Sequence, residues 1–244
     1  ARTERKKGHG YKGFSVSADP SVTLEQDLMR RDLTINAIAE SNTGAIIDPY
    51  HGVQDIKNKI LKHVSPAFIE DPLRVLRLAR FAAKLPDFTV DSTTISYCRQ
   101  IVQEQELLYL TKERVWQEWQ KTFAMPAPWR FIEVLVSINA WQQLMPACQQ
   151  PEKAIARFKK AAEKYNDQSL FLLLGLDIEN DKQWQQQLQT MALPKHLADS
   201  ALLIKLIHKV FNSIDSPEES LLKNLYRWDV FRRAERFEEI IKLL

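Results

Sequence analysis

Residues 70–81 constrain the fold more than any other segment, because they join an apolar helix pattern to a row of arginines. Asp71 is a typical helix N-cap and Pro72 is tolerated at the first helical position, so the sequence predicts a helix start here. Apolar side chains fill most of the following positions, which is typical of a largely buried helix. Within it, every third position is charged: Arg74, Arg77 and Arg80.

This row of arginines needs anionic partners, since residues three apart lie on one side of a helix and a buried guanidinium is costly without a partner. Asp71 is close enough in sequence to serve Arg74, whereas nothing nearby in sequence serves Arg77 or Arg80. Two interpretations stay open at this point. An external anion such as a triphosphate would suit the forked geometry of arginine, or carboxylates from elsewhere in the fold would pair with the row.

Composition narrows the class of protein. A chain of 244 residues with 45% hydrophobic residues can build a core in one large domain or two small ones. Its 34 basic and 31 acidic residues give a net charge of +3, too weak a bias to indicate nucleic-acid binding by itself. We find no apolar run long enough to cross a membrane and no signal peptide. Two cysteines without metal-ligand spacing suit a reducing compartment, so we expect a cytoplasmic protein.

Glycine usage divides the chain, because five of the six glycines lie within the first 52 residues. This predicts a front rich in loops and turns, with a basic loop over residues 1–23 and a strand over 45–49, and a helical remainder. The predicted fold class is therefore α+β and predominantly α. The predicted helices cover residues 23–29, 55–61, 70–81, 92–110, 111–124, 129–144, 152–165, 169–174, 182–191, 195–214, 218–228 and 231–244.

A second polar cluster occupies residues 30–39. Two arginines precede Asp32, and the polar residues Thr34 and Asn36 interrupt an otherwise apolar run. A helix cap would account for Asp32, but it does not account for Arg30, Arg31 and Asn36 together.

Three segments in this order, residues 30–37, 48–56 and 70–81, closely resemble the class II tRNA nucleotidyltransferases, nearest to the bacterial CCA-adding enzymes. Residues 111–118 are similar to the neck motif of that family, and residues 225–233 resemble its distal part. The resemblance implies part of a nucleotidyltransferase head with a mixed sheet, followed by an all-helical neck, body and tail. The implied domains are residues 1–62 for the head, 63–125 for the base-recognising neck, and 126–244 for a body and tail that bind tRNA.

The resemblance also implies a reaction, in which the 3′ CCA end of tRNA is rebuilt from CTP and ATP without a nucleic-acid template. Mg²⁺ is the implied cofactor, the tRNA 3′ end and the two nucleotides are the implied partners, and neither a membrane nor an obligate protein partner is implied. Two alternatives stay open, a bacterial poly(A) polymerase with the same motifs and a non-catalytic RNA-binding relative.

The implied nucleotide-binding site has seven residues: Arg31, Asp32, Asn36, Asp71, Arg74, Arg77 and Arg80. By resemblance, the arginines other than Arg74 would hold the triphosphate, and Asp32 with Asn36 would contact the ribose. Asp71 and Arg74 would face the base, while residues 48–55 would couple nucleotide selection to domain movement.

Elementary hydrogen-bond chemistry supports the assignment of Asp71 and Arg74. A carboxylate only accepts hydrogen bonds and a guanidinium only donates them. Cytosine and adenine both present an exocyclic amine beside a ring-nitrogen acceptor, which this pair can complement. Guanine and uracil present a carbonyl beside an N–H, which would leave groups of like polarity facing each other.

The catalytic metal ligands of the family are an Asp-x-Asp pair after a Gly-Gly-x-x-x-Arg-Asp loop, and the resemblance places both upstream of Ala1. We therefore expect no metal-ligating catalytic residue in this chain, and no activity from the chain alone. Residues 6–23 match the position of the flexible loop associated with the switch from CTP to ATP. Their presence favours addition of the full CCA end, or of A, over addition of CC only.

Overall fold

The computed structural model describes residues 2–6, 14–18, 22–212 and 218–244, with side chains over 22–212 and 223–244. The chain divides into two units, Ala1–Leu144 and Met145–Leu244. Part of the segment predicted as a basic loop, namely residues 1, 7–13 and 19–21, lies outside the described residues.

The strands of the first unit are short, and among the described residues they form three two-stranded sheets. The first pairs β1 (Arg2–Lys6) with β2 (Phe14–Ala18) in antiparallel fashion, with Arg2 opposite Ala18. The prediction of a loop over residues 1–23 is therefore wrong for these two strands. The other pairs are β3 (Ala39–Glu40) with antiparallel β4 (Ile46–Ile47), and β5 (Ile60–Leu61) with parallel β6 (Thr89–Val90).

The described part of the first unit contains seven α-helices: α1 (Leu24–Met29), α2 (Gly52–Asn58), α3 (Leu73–Lys84), α4 (Ser92–Gln103), α5 (Lys112–Phe123), α6 (Trp129–Ser137) and α7 (Trp141–Leu144). Short 3₁₀ helices cover Thr34–Asn36, Pro66–Glu70 and Glu106–Tyr109. The prediction of a predominantly α fold is confirmed.

Helix α3 is the buried helix that the sequence predicts over residues 70–81. It begins one residue after Pro72, and Asp71 Oδ1 accepts the Leu73 N–H at 3.1 Å, so Asp71 does act at the helix start. Seven of its residues are buried, and the helix packs against α5 and α6. The Trp119 ring of α5 lies 4.6 Å from Phe131 of α6 between ring centroids. This aromatic contact joins α5 to α6, the two helices against which α3 packs.

Two of the predicted helices are interrupted. Residues 92–110 form α4 and a separate 3₁₀ turn, because Gln105 adopts a left-handed conformation at φ 56°. Residues 129–144 form α6 and α7, with Asn139 at φ 62° between them. Positive φ ends a right-handed helix, while apolar spacing continues across each break and gives no sign of it in the sequence.

In its described part, the second unit has helices and no strands. They are α8 (Pro151–Ala161), a 3₁₀ helix (Gln168–Gly175), α9 (Asp181–Thr190), α10 (Lys195–Asn212), α11 (Glu218–Arg227) and α12 (Ala234–Leu243). Its core centres on Trp184, whose indole N–H donates to the Ala201 carbonyl at 3.1 Å. Arg157 of α8 forms a two-nitrogen ion pair with Asp177, at 2.7 and 2.8 Å. Across the described residues, no helix combines the length and apolar character needed to span a membrane.

Candidate functional site

A cleft of about 450 Å³ opens in the first unit, beside the N-terminal half of α3. Six of the seven predicted site residues line it, and Arg80 does not. Its lining also includes Arg30 and Phe81, which were not predicted as site residues although both lie within the motifs that carry the resemblance. The full lining is Arg30, Arg31, Asp32, Asn36, Asp71, Arg74, Arg77 and Phe81.

One wall of the cleft is the turn that runs from Asp32 to Asn36. Asp32 Oδ1 accepts two hydrogen bonds of 3.0 Å, from the Leu33 N–H and from the Asn36 side-chain amide. The Thr34 N–H donates to the Lys62 carbonyl at 2.9 Å and ties the turn to the strand after α2. These bonds fix the two predicted ribose-contacting side chains relative to each other.

Asp32 is nearly buried, with only 6% of its side chain exposed, and its partner is Arg77 at 2.7 Å. Burial opposes its ionisation, but the Arg77 charge and the three hydrogen bonds outweigh burial and lower the pKa of Asp32 below its usual value. Conversely, Asp32 outweighs the effect of burial on Arg77 and raises the pKa of that guanidinium. Both groups are therefore fully charged at neutral pH.

Arg74 does not pair with Asp71, so the partner expected from sequence proximity is wrong. Its Nη1 donates to the Ala67 carbonyl at 2.6 Å and its Nη2 donates to the Arg30 carbonyl. Burial lowers the pKa of Arg74 despite the opposing charge of Asp71, yet a guanidinium stays protonated at any physiological pH. Two carbonyls thus hold the guanidinium at the edge of the cleft.

Asp71 is held from the other side, by helix α5. Arg114 Nη2 lies 3.0 Å from Asp71 Oδ2 and 3.3 Å from Oδ1. Sequence reasoning did not select Arg114, although it stands within the neck motif at residues 111–118. A basic residue in that motif was the available signal, but 43 positions separate it from its partner.

Arg80 lies behind the cleft. Its Nε donates to Glu118 Oε2 at 2.6 Å, with 12% and 3% of the two side chains exposed. Its guanidinium also lies 4.8 Å from the centre of the Phe81 ring, within cation–π range. The interpretation that distant carboxylates pair with the arginine row therefore holds for Arg77 and Arg80, whose partners are Asp32 and Glu118.

Arg31 is the most accessible of the predicted triphosphate ligands. It donates to the Asn36 carbonyl at 3.0 Å and lies 3.6 Å from the Asp27 carboxylate, so both contacts are on the exposed rim. The lining contains four arginines and two aspartates. This excess of positive charge favours an anionic ligand.

Helix α2 supports the Asp32–Asn36 turn from behind. Asp48 accepts the N–H groups of Gly52 and Val53 at 2.7 and 2.9 Å, which caps the start of α2. Asp55, one turn further, accepts the Thr34 hydroxyl at 2.7 Å. The segment that resembles the family's central motif is thus in direct contact with the candidate site.

Gly52 allows this contact, and Gly52→Ala is expected to disturb it. A Cβ at this position would lie 2.2 Å from the Thr34 carbonyl oxygen and 2.9 Å from the Ile38 side chain. Because the obstacle is backbone, the turn must shift, at a cost of about 1–3 kcal/mol in the free energy of unfolding. Chemical denaturation measures that cost, and the Kd for CTP should rise with it.

Gly44→Ala is the matched control. Its Cβ would meet nothing closer than 3.8 Å, and the penalty of about 1 kcal/mol comes only from the positive φ of 81°. CTP affinity should be unchanged in this variant. Equal Kd values for the two variants would show that Gly52 does not position the turn.

Metal ligands are not assembled in the described part of the chain. There, no group of three or more histidine, cysteine, aspartate or glutamate residues is placed to hold a metal ion. Asp32 and Asp71 each have an arginine partner instead. These residues do not fit a divalent cation.

Comparison with protein families gives two matches within this chain. Residues 2–62 match a model described as the poly A polymerase head domain. Residues 87–150 match a model described as a probable RNA- and SrmB-binding site of polymerase A.

Relatives that match the whole chain are named CCA-adding enzyme or multifunctional CCA protein. A CCA-adding enzyme from Pseudomonas entomophila is 43% identical over 256 residues, which cover 99% of this chain and 68% of that protein. A CCA-adding enzyme from Pseudomonas putida is 42% identical, covering 99% of this chain and 66% of that protein. The chain spans about two thirds of the length of these relatives.

Solved structures agree on the fold. A CCA-adding enzyme in an apo form matches with a TM-score of 0.70 at 24% identity, over 88% of this chain and 53% of that one. The Thermotoga maritima CCA-adding enzyme in complex with tRNA matches with a TM-score of 0.61 at 21% identity, over 89% and 60%. At such identities the similarity concerns the fold alone.

Proposed function

The chain belongs to the family of CCA-adding enzymes, and we propose that its protein completes the 3′ end of tRNA by adding C, C and A from CTP and ATP. One observation carries the proposal: Asp71 and Arg74 both line a positively charged cleft, each held there by other residues. An accept-only group beside a donate-only group complements cytosine and adenine but not guanine and uracil.

The other side chains of the cleft supply the remaining contacts of a nucleotide. Arg31 and Arg77 bind the triphosphate, and the Asp32–Asn36 pair meets the ribose, where a 2′-hydroxyl can both donate and accept. Arg80 does not line the cleft, and its guanidinium contacts the Phe81 ring and Glu118 instead. A direct phosphate contact would require Arg80 to leave Glu118.

tRNA is the proposed polymer substrate. Support comes from the family match at residues 87–150, whose name refers to RNA binding, and from the relative solved with tRNA. The division into a head (1–62), a neck (63–125) and a tRNA-binding body and tail (126–244) is part of this proposal, as is a cytoplasmic location. Mg²⁺ is the proposed ion among the divalent metals that nucleotidyl transfer generally uses.

The test uses the full-length gene product and a tRNA that lacks its CCA end, with CTP, ATP or both. Two additions with CTP and three with both nucleotides are expected, and EDTA should stop both until Mg²⁺ is restored. A long ladder with ATP alone would indicate the poly(A) polymerase alternative. Binding of the tRNA without extension would indicate the non-catalytic relative, and either result would overturn the proposal.

A further inference from the structure

We propose that Arg114 is a positioning residue for base selection, which sets the orientation of the Asp71 carboxylate from the neck helix. The inference rests on the proposed function. It concerns a residue that lies outside the cleft lining and acts on the bound nucleotide only through Asp71.

The hydrogen bonds of Asp71 show what Arg114 controls. Oδ1 accepts the Leu73 N–H at 3.1 Å and Arg114 Nη2 at 3.3 Å. Oδ2 accepts a hydrogen bond from Arg114 Nη2 at 3.0 Å. Among the described residues, Oδ2 accepts no second hydrogen bond. A carboxylate oxygen has about two acceptor positions, so Oδ2 keeps one for the exocyclic amine of a base.

The fixation of Arg74 makes this orientation decisive. Its guanidinium is bound to two backbone carbonyls and stays where the Ala67 and Arg30 segments place it. Selection between an exocyclic amine and a carbonyl then depends on whether a carboxylate oxygen of Asp71 lies opposite that group of the base. Without Arg114, the single backbone N–H of Leu73 holds the carboxylate, and the side chain can rotate about its Cβ.

Replacing Arg114 by alanine in the full-length protein is therefore expected to lower the ratio of CTP to UTP incorporation by about 10- to 100-fold. Arg114→Lys should recover a large part of the ratio, because one nitrogen makes both contacts with Asp71. Arg130→Ala is the matched control, since Arg130 forms a similarly exposed ion pair with Glu133 in the same unit, away from the cleft lining. The control should keep the wild-type ratio.

A double-mutant cycle separates positioning from a general structural role. If Arg114 acts through Asp71, Arg114→Ala should leave the ratio unchanged in an Asp71→Ala background. Additive losses, or a wild-type ratio in Arg114→Ala alone, would overturn the inference. Failure of the wild-type protein to add C and A would instead refute the proposed function, so the two failures are distinct.

Discussion

An enzyme carrying Arg74→Ala is expected to discriminate much less against UTP and GTP. In the proposed site the guanidinium donates to the ring nitrogen of cytosine or adenine, and its removal leaves Asp71 as the remaining group that distinguishes the bases. Sites built to form specific hydrogen bonds reject the wrong partner strongly, and losing one of two such contacts should lower discrimination by about 100-fold. The measurement is the ratio of kcat/KM for CTP over UTP, and for ATP over GTP, on one tRNA.

The ratio is chosen because Arg74→Ala also affects folding. The variant leaves the half-buried Ala67 and Arg30 carbonyls without their donor, and each costs less than the roughly 1–3 kcal/mol of a fully buried group. Both substrates are measured on one preparation, so the folded fraction cancels. Arg99→Ala, which removes a donor from the Ser137 carbonyl, is the matched control and should keep its selectivity. An intact ratio in Arg74→Ala would contradict the base-reading role.

Six of the eight residues that line the cleft were predicted from the sequence, because their motifs combine groups that a purely structural helix does not need. Arg31, Asp32 and Asn36 stand together where a cap would require only one of them. The arginine spacing of α3 likewise exceeds what a buried helix tolerates without partners. Residue type and spacing alone left the structural interpretation of the arginine row open, and the resemblance to a known family selected the site residues.

The partners of these residues could not be read from the sequence. Arg77 and Asp32 are 45 positions apart, and Arg80 and Glu118 are 38 apart. Helix spacing relates residues three or four apart, and it carries no information on which helix packs against which. The breaks at Gln105 and Asn139 were missed for a similar reason, because left-handed φ at a non-glycine residue is imposed by tertiary packing.

Arg77→Ala is expected to destabilise the fold strongly. It leaves the Asp32 carboxylate buried without its charged partner, which typically costs about 3–5 kcal/mol for a fully buried pair. Because 34% of Arg77 is exposed, we expect about 2–4 kcal/mol in the free energy of unfolding. The Kd values for CTP and ATP should both rise by about 10- to 100-fold. The two increases should be similar, because Arg77 is proposed to contact the triphosphate, which both nucleotides share.

The pH dependence of that loss identifies its origin. In the wild type the pKa of Asp32 lies below its ordinary value of 3.8, so the pair stabilises the protein above that pH and the contribution fades as pH falls through the folded pKa. Without Arg77, only hydrogen bonds from Asn36 and the Leu33 N–H oppose burial, and the pKa of Asp32 rises. The difference in stability between Arg77→Ala and wild type should therefore shrink on acidification towards pH 4. A constant difference would contradict this origin.

Replacing both partners separates folding from binding. Asp32→Asn combined with Arg77→Met removes the two buried charges together, and such exchanges are often neutral for stability. We expect the double variant to regain most of the stability lost in Arg77→Ala, while the Kd values for CTP and ATP stay high. Calorimetric titration with each nucleotide provides the test. Wild-type affinity in the stable double variant would show that the pair only supports the fold, whereas equal losses for the two nucleotides support contact of the Asp32–Arg77 pair with the ribose and triphosphate that CTP and ATP share.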